Sequence, residues 1–198
     1  IFEQLGSALD YAHRTTWHGN LKPENILVLP EVLKITDFNL VKALPLKPFL
    51  ATAKSKTSGF PYVAPELRKE AAKISGSADI YSLGVILGKM LTGIVFEGHF
   101  PKQLKDALEA LPPEVETVFR KSVAESPQNR YATAGDMARA LETALNQAPA
   151  GFALPVPAGT GKSGDVMVEV TPPPPPMETV QEPGCRSEGG SRNSRRPW

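Results

Sequence analysis

The 198 residues hold a single cysteine, Cys185, so no disulfide framework and no cysteine-based metal site can form within the chain. The net charge is only +1, and the basic residues are scattered apart from a cluster between Arg192 and Arg196. That lack of positive surplus removes the electrostatic footprint nucleic-acid binding requires, and the terminal cluster reads as a solvated tail. Long apolar runs are also missing. A bilayer span needs about 20 apolar residues, and the best candidate, Tyr81 to Phe96, is interrupted by Lys89. No membrane segment is therefore expected. The chain begins at Ile1, inside an amphipathic pattern, with no signal-peptide charge or cleavage site ahead of it. The expectation is a fragment whose upstream part is absent, working in a reducing, cytoplasmic setting.

What is present is ordinary for one globular domain, with 41% apolar and 22% charged residues. Ile1, Leu5, Ala8, Leu9 and Ala12 recur at three- and four-residue steps, which predicts a helix with one buried stripe ending near Arg14. Asn25 to Leu29 and Val32 to Ile35 are β-rich runs split by Pro30-Glu31, the pattern of a small hairpin. From Asp37 to Glu66 the sequence is irregular. Ala78 to Leu91 is apolar on most faces, the mark of a helix buried on all sides, with Gly93 as its stop. Leu104 to Leu111 and Pro113 to Ala124 predict two shorter helices, and Pro113 suits a first turn. Thr133-Ala134-Gly135-Asp136 resembles a capping box that opens a last helix carrying Met137, Leu141 and Leu145.

The folded part is expected to end near Asn146, giving a domain of residues 1–146 and a tail of 147–198. Half of the 20 prolines lie after Asn146, including the run Pro172 to Pro176. Such a composition buries too little surface to offset chain entropy, so disorder is expected there. The proline run reads as a spacer or as a ligand for a proline-reading module. Gly161-Lys162-Ser163 mimics the end of a phosphate-binding loop, but Val156 stands where the first glycine belongs and no strand precedes it.

Two stretches carry chemistry: Trp17-His18-Gly19-Asn20-Leu21-Lys22-Pro23-Glu24-Asn25-Ile26-Leu27 and Ile35-Thr36-Asp37-Phe38-Asn39. They resemble the catalytic and metal-binding loops of protein kinases. In that family an Asp in His-Arg-Asp accepts the substrate proton and an Asn and an Asp hold magnesium. With Ala64-Pro65-Glu66 and the order of elements, residues 1 to 146 resemble the C-terminal lobe of the serine/threonine protein kinases. The resemblance implies a mainly α fold, α+β for the complete family fold, with a small β-hairpin. It places Asn25 and Asp37 as magnesium ligands, Lys22 beside the transferring phosphate and Leu27 under the adenine of ATP. It also implies structural roles for four residues. His18 packs under the metal loop, Glu66 pairs with Arg130, and Asp79 accepts backbone hydrogen bonds from the catalytic loop.

The departures fall on the chemistry. Asn20 stands at the catalytic Asp position, and a neutral amide is no base near pH 7. Gly19 replaces the motif arginine that reads an activation-segment phosphate, so phosphorylation at Thr52, Ser55, Thr57 or Ser58 would lack its usual reader. Asn39 replaces the glycine of Asp-Phe-Gly. The threonine that bridges the catalytic Asp and Lys would align with Gly59 or Phe60, neither of which has a hydroxyl. No glycine-rich loop, strand lysine or partner glutamate occurs, so ATP and Mg2+ binding is expected to be weak or absent. The expected function is a pseudokinase fragment that scaffolds or regulates a protein partner. The alternatives are the C-lobe of a low-activity ATP-dependent kinase and an inactive truncated product.

Overall fold

The computed structural model describes residues 1–30, 32–38, 60–69, 74–149 and 152. By its contacts the chain divides into two units, Ile1–Thr160 and Gly161–Trp198, and every described residue lies in the first. Asn39, Thr52, Ser55, Thr57, Ser58, Gly59, the proline run Pro172 to Pro176 and Gly161-Lys162-Ser163 lie outside the described residues.

Five α-helices and one hairpin make up the described residues: α1 (Phe2–Ala12), β1 (Ile26–Val28), β2 (Leu33–Ile35), α2 (Gly76–Thr92), α3 (Lys102–Glu109), α4 (Pro113–Ser122) and α5 (Ala134–Asn146). Single 3-10 turns occupy Pro23–Asn25, Phe60–Tyr62, Pro65–Arg68 and Pro127–Asn129. The strands are antiparallel, with Ile26 opposite Ile35, Leu27 opposite Lys34 and Val28 opposite Leu33. The expected mainly α architecture with a small hairpin is the observed one, and element ends move by two or three residues at most. Among the described residues no helix is long and apolar enough to cross a membrane.

Helix α2 is the axis of the core. Its residues Ala78 to Gly88 are all buried, because α3, α4, α5 and the 60–62 turn pack around it. Gly84 and Gly88, one helical turn apart, let α4 approach: a Cβ at Gly88 would lie 2.4 Å from Phe119 Cε2, and one at Gly84 2.6 Å from Ser122 Cβ. Gly93 stops the helix at φ 73, a left-handed conformation that costs glycine little. Phe119 meets Phe96 edge-on at 5.7 Å and Phe100 at 6.3 Å, tying α4 to the loop before α3.

On α1, Leu5 and Leu9 are buried as the periodicity requires. Ile1, expected on the same stripe, is instead 56% exposed. It precedes the helix at the N-cap and sits at the edge of an apolar cavity of about 350 Å³ lined by Leu5, Pro23, Ile26, Val28 and Ile86. The other end of α1 is held through a contact that no local pattern announces. Asp10 accepts from the backbone N–H of Ala134 (2.9 Å) and Gly135 (3.0 Å), closing the N-terminus of α5 across the sequence. Thr133 adds the local cap, its Oγ accepting from Asp136 N at 3.0 Å.

Candidate functional site

The two motif stretches meet because a buried carboxylate collects one of them. Asp79, fully buried in the first turn of α2, accepts from His18 N at 2.8 Å and from Gly19 N at 2.7 Å. Its Oδ2 also receives His13 Nε2 at 2.9 Å. A buried carboxylate without donors is costly, and here three N–H groups satisfy it. His13 went unnoticed in the sequence. It sits at the C-cap of α1, and its ring stacks edge-on with Trp17 at 4.9 Å.

Gly19 takes φ 74, in the left-handed region where a side chain is strained. The missing arginine side chain thus coincides with a backbone bend that glycine makes easily. Beyond it, Asn20 N donates to His18 Nδ1 at 3.3 Å. His18 Nε2 therefore carries the ring proton and donates to Thr36 O at 2.8 Å. The ring also packs on Phe38, centroids 4.7 Å apart. His18 thereby joins the 17–20 loop to the segment carrying Asp37.

Asn25 completes the junction. Its Nδ2 donates to Asn20 O at 3.0 Å, and its backbone O accepts from Thr36 N at 2.9 Å. With the amide nitrogen spent on the loop, Oδ1 is the atom left for a hard cation. Asp37 holds φ 64, the one positive φ at a non-glycine position among the described residues. Strain of this kind persists where surrounding structure over-determines a residue, and it marks functional sites. The oxygen donors of Asn25 and Asp37 suit a hard cation such as magnesium. Among the described residues no group of three or more His, Cys, Asp or Glu could hold a metal ion. Lys22 is half-buried. Leu27 is 46% exposed, on an open hairpin face rather than in the core.

Glu66 and Arg130 meet as a fork. Arg130 Nη1 lies 2.7 Å from Oε1 and Nη2 2.8 Å from Oε2. The rest of the guanidinium donates to Ala124 O, Ser77 O and Glu125 O. This knot ties the 65–68 turn to α2 and to the 127–129 turn. The neighbouring 60–62 turn is anchored by Ser82 Oγ, which donates to Tyr62 O at 2.7 Å. Burial, and then the Glu24 carboxylate, raise the pKa of the Tyr62 phenol. Burial raises the pKa of Tyr81 against the opposing effects of Arg68 and Arg130.

A helical lobe, a loop hung on a buried helix aspartate, an Asn–Asp oxygen pair and an arginine-locked glutamate occur together here. The protein kinase domain matches residues 1–148. The chain belongs to the protein kinase family. It is 32% identical over 163 residues to serine/threonine-protein kinase PknD of Mycobacterium tuberculosis, covering 73% of this chain and 24% of that protein. It is also 32% identical over 161 residues to serine/threonine-protein kinase PrkC of Bacillus subtilis, covering 74% of this chain and 24% of PrkC. The chain thus spans about a quarter of the length of these curated relatives. The fold likeness extends to a crystal structure of the M. tuberculosis PknI kinase domain, with TM-score 0.53 and 22% identity over 72% of this chain and 53% of that one. Protein kinases as a family use ATP and Mg2+ and act on protein substrates.

Proposed function

We propose that this chain is the C-terminal lobe, residues 1–146, of a serine/threonine-kinase-like pseudokinase that engages a protein partner as scaffold or regulator in the cytoplasm. The Pro-rich residues 147–198 form a separate segment by composition. One observation carries the reading: the catalytic loop is fully anchored, through Asp79, His18 and Asn25, yet the residue it presents at the base position is Asn20. A loop kept in place without its base fits a protein selected for shape. General-base loss by itself costs about 10²–10⁴ in rate. The absence of a hydroxyl at both Gly59 and Phe60 and of a side chain at Gly19 points the same way.

In this reading Asn25 Oδ1 and Asp37 would hold Mg2+, which when bound neutralises phosphate charge. Lys22 would face the phosphates and Leu27 the adenine, and His18, Asp79, Glu66 and Arg130 keep the loops in register. The matched stretch reaches only 53% of the PknI kinase domain, so nothing in it covers a nucleotide from the other side. ATP–Mg2+ affinity is accordingly about millimolar or weaker, about 4 kcal/mol. The 198-residue chain given labelled ATP, Mg2+ and a generic basic substrate should show background incorporation only. Incorporation abolished by Asp37→Ala would sink the proposal.

The persistence of Lys22, Asn25 and Asp37 favours a second reading, a slow kinase whose remaining lobe is supplied upstream. In a longer protein carrying that lobe, Asn20→Asp separates the two. A rate increase of about 10²-fold or more would identify an enzyme lacking chiefly its base, whereas a small effect supports the pseudokinase.

A further inference from the structure

Arg68 is the last residue of the Pro65–Arg68 turn, half-buried, and no carboxylate pairs with it among the described residues. Its guanidinium instead turns back on its own loop, on the side where it also approaches the Tyr81 hydroxyl of α2. Nε donates to Val63 O at 3.0 Å and Nη2 to Phe60 O at 3.3 Å, while Cζ stands 4.5 Å from the centroid of the Phe60 ring. One planar group thus grips both ends of the 60–63 stretch and covers its aromatic side chain. A rigid fork can do this, because its donors leave in fixed, parallel directions. Phe60 O also accepts from Val63 N at 3.1 Å, so the carbonyl that closes the turn is the one Arg68 polarises.

The Glu66–Arg130 fork holds the following turn and Ser82 holds Tyr62 from α2. Neither touches the polar groups of Phe60 or Val63. We propose that Arg68 is a positioning residue: a latch that sets the conformation of residues 60–63, and with it the buried seat of Tyr62 against α2. The ordering is built into the chain through one side chain, and it holds whether or not the protein transfers phosphate. Such a latch acts locally. Its loss opens the 60–63 turn while the helical core stays closed, which is sub-global opening of a single segment.

The test uses the 198-residue chain with Arg68→Met, which keeps the stem and removes the fork, and Arg68→Lys, which keeps a charge but cannot reach both carbonyls. Two measurements read the segment: hydrogen exchange at the Val63 amide and chymotryptic cutting after Tyr62, which is 4% exposed. Exchange at Leu83 and Ile86 reads the core. Both local signals should rise about 10-fold or more in both variants, with α2 exchange changed by less than about 2-fold. A parallel rise across α2, or failure of either variant to fold, would make Arg68 a general core residue and overturn the latch. Unchanged Val63 exchange, or full rescue by lysine, would overturn it as well, the first by removing the effect and the second by removing the need for the fork.

Discussion

Replacing Arg130 or Glu66 by alanine should cost unequal amounts, and the structure sets the order. Arg130→Ala removes two bonds to Glu66 and also strands Ala124 O, Ser77 O and Glu125 O beside a fully buried side chain. Unsatisfied buried acceptors and a carboxylate left without its partner together amount to about 4–5 kcal/mol. Glu66→Ala leaves the guanidinium with three carbonyls, and the glutamate side chain is already 21% exposed, so about 2–3 kcal/mol is expected. The double variant should lose about 2 kcal/mol less than the sum of the two, because the fork is counted in both single losses. Urea unfolding with a shared m-value measures all four corners of the cycle. A coupling below about 0.5 kcal/mol would refute the reasoning, since it would mean the two-pronged contact contributes no energy of its own.

Further outcomes rest on the same geometry. Asp79→Asn replaces an acceptor by a donor facing N–H groups, so it should cost about 3 kcal/mol and raise exchange at the His18 and Gly19 amides before the rest of the core. Asp10→Ala should cost about 1–2 kcal/mol as a lost helix cap. Gly135→Ala, whose Cβ would stand 2.4 Å from Asp10 Oδ2, should destabilise the wild type yet be near neutral once Asp10 is gone, as thermal melts can show. Burial raises the pKa of Tyr62, Tyr81 and Tyr131 above the ordinary 10.0. The folded state therefore keeps protons that the unfolded state releases. The tyrosine contribution to stability should be constant up to about pH 10 and fall as pH rises through the folded-state values, followed by phenolate absorbance alongside unfolding.

Local patterns made the lobe and most of its site legible. The apolar run of α2, Gly93 at its end, the hairpin breaks and the cap at Thr133 are signals written within a few residues, where helix and strand periodicity operates. The motif stretches likewise put Asn20, Lys22, Asn25 and Asp37 in one neighbourhood, because short loops keep sequence neighbours close. Glu66 and Arg130 were matched across the chain only through the family pattern. Leu27 shows the reverse limit: its apolar character suits a core residue, while its 46% exposure follows from the hairpin face it occupies.

Sequence by itself determined which residues exist to do chemistry: an amide at Asn20, no side chain at Gly19, a carboxylate at Asp37. Those facts bound what the loop can catalyse whatever the fold does. Tertiary structure decided who holds whom. His13 reaching Asp79, Asp10 closing α5 and Arg68 gripping Phe60 and Val63 have no period and no motif, because each depends on where two separate elements happen to pack. A hydrogen bond needs donor and acceptor within about 3 Å, and spacing along the chain carries that distance only inside one element.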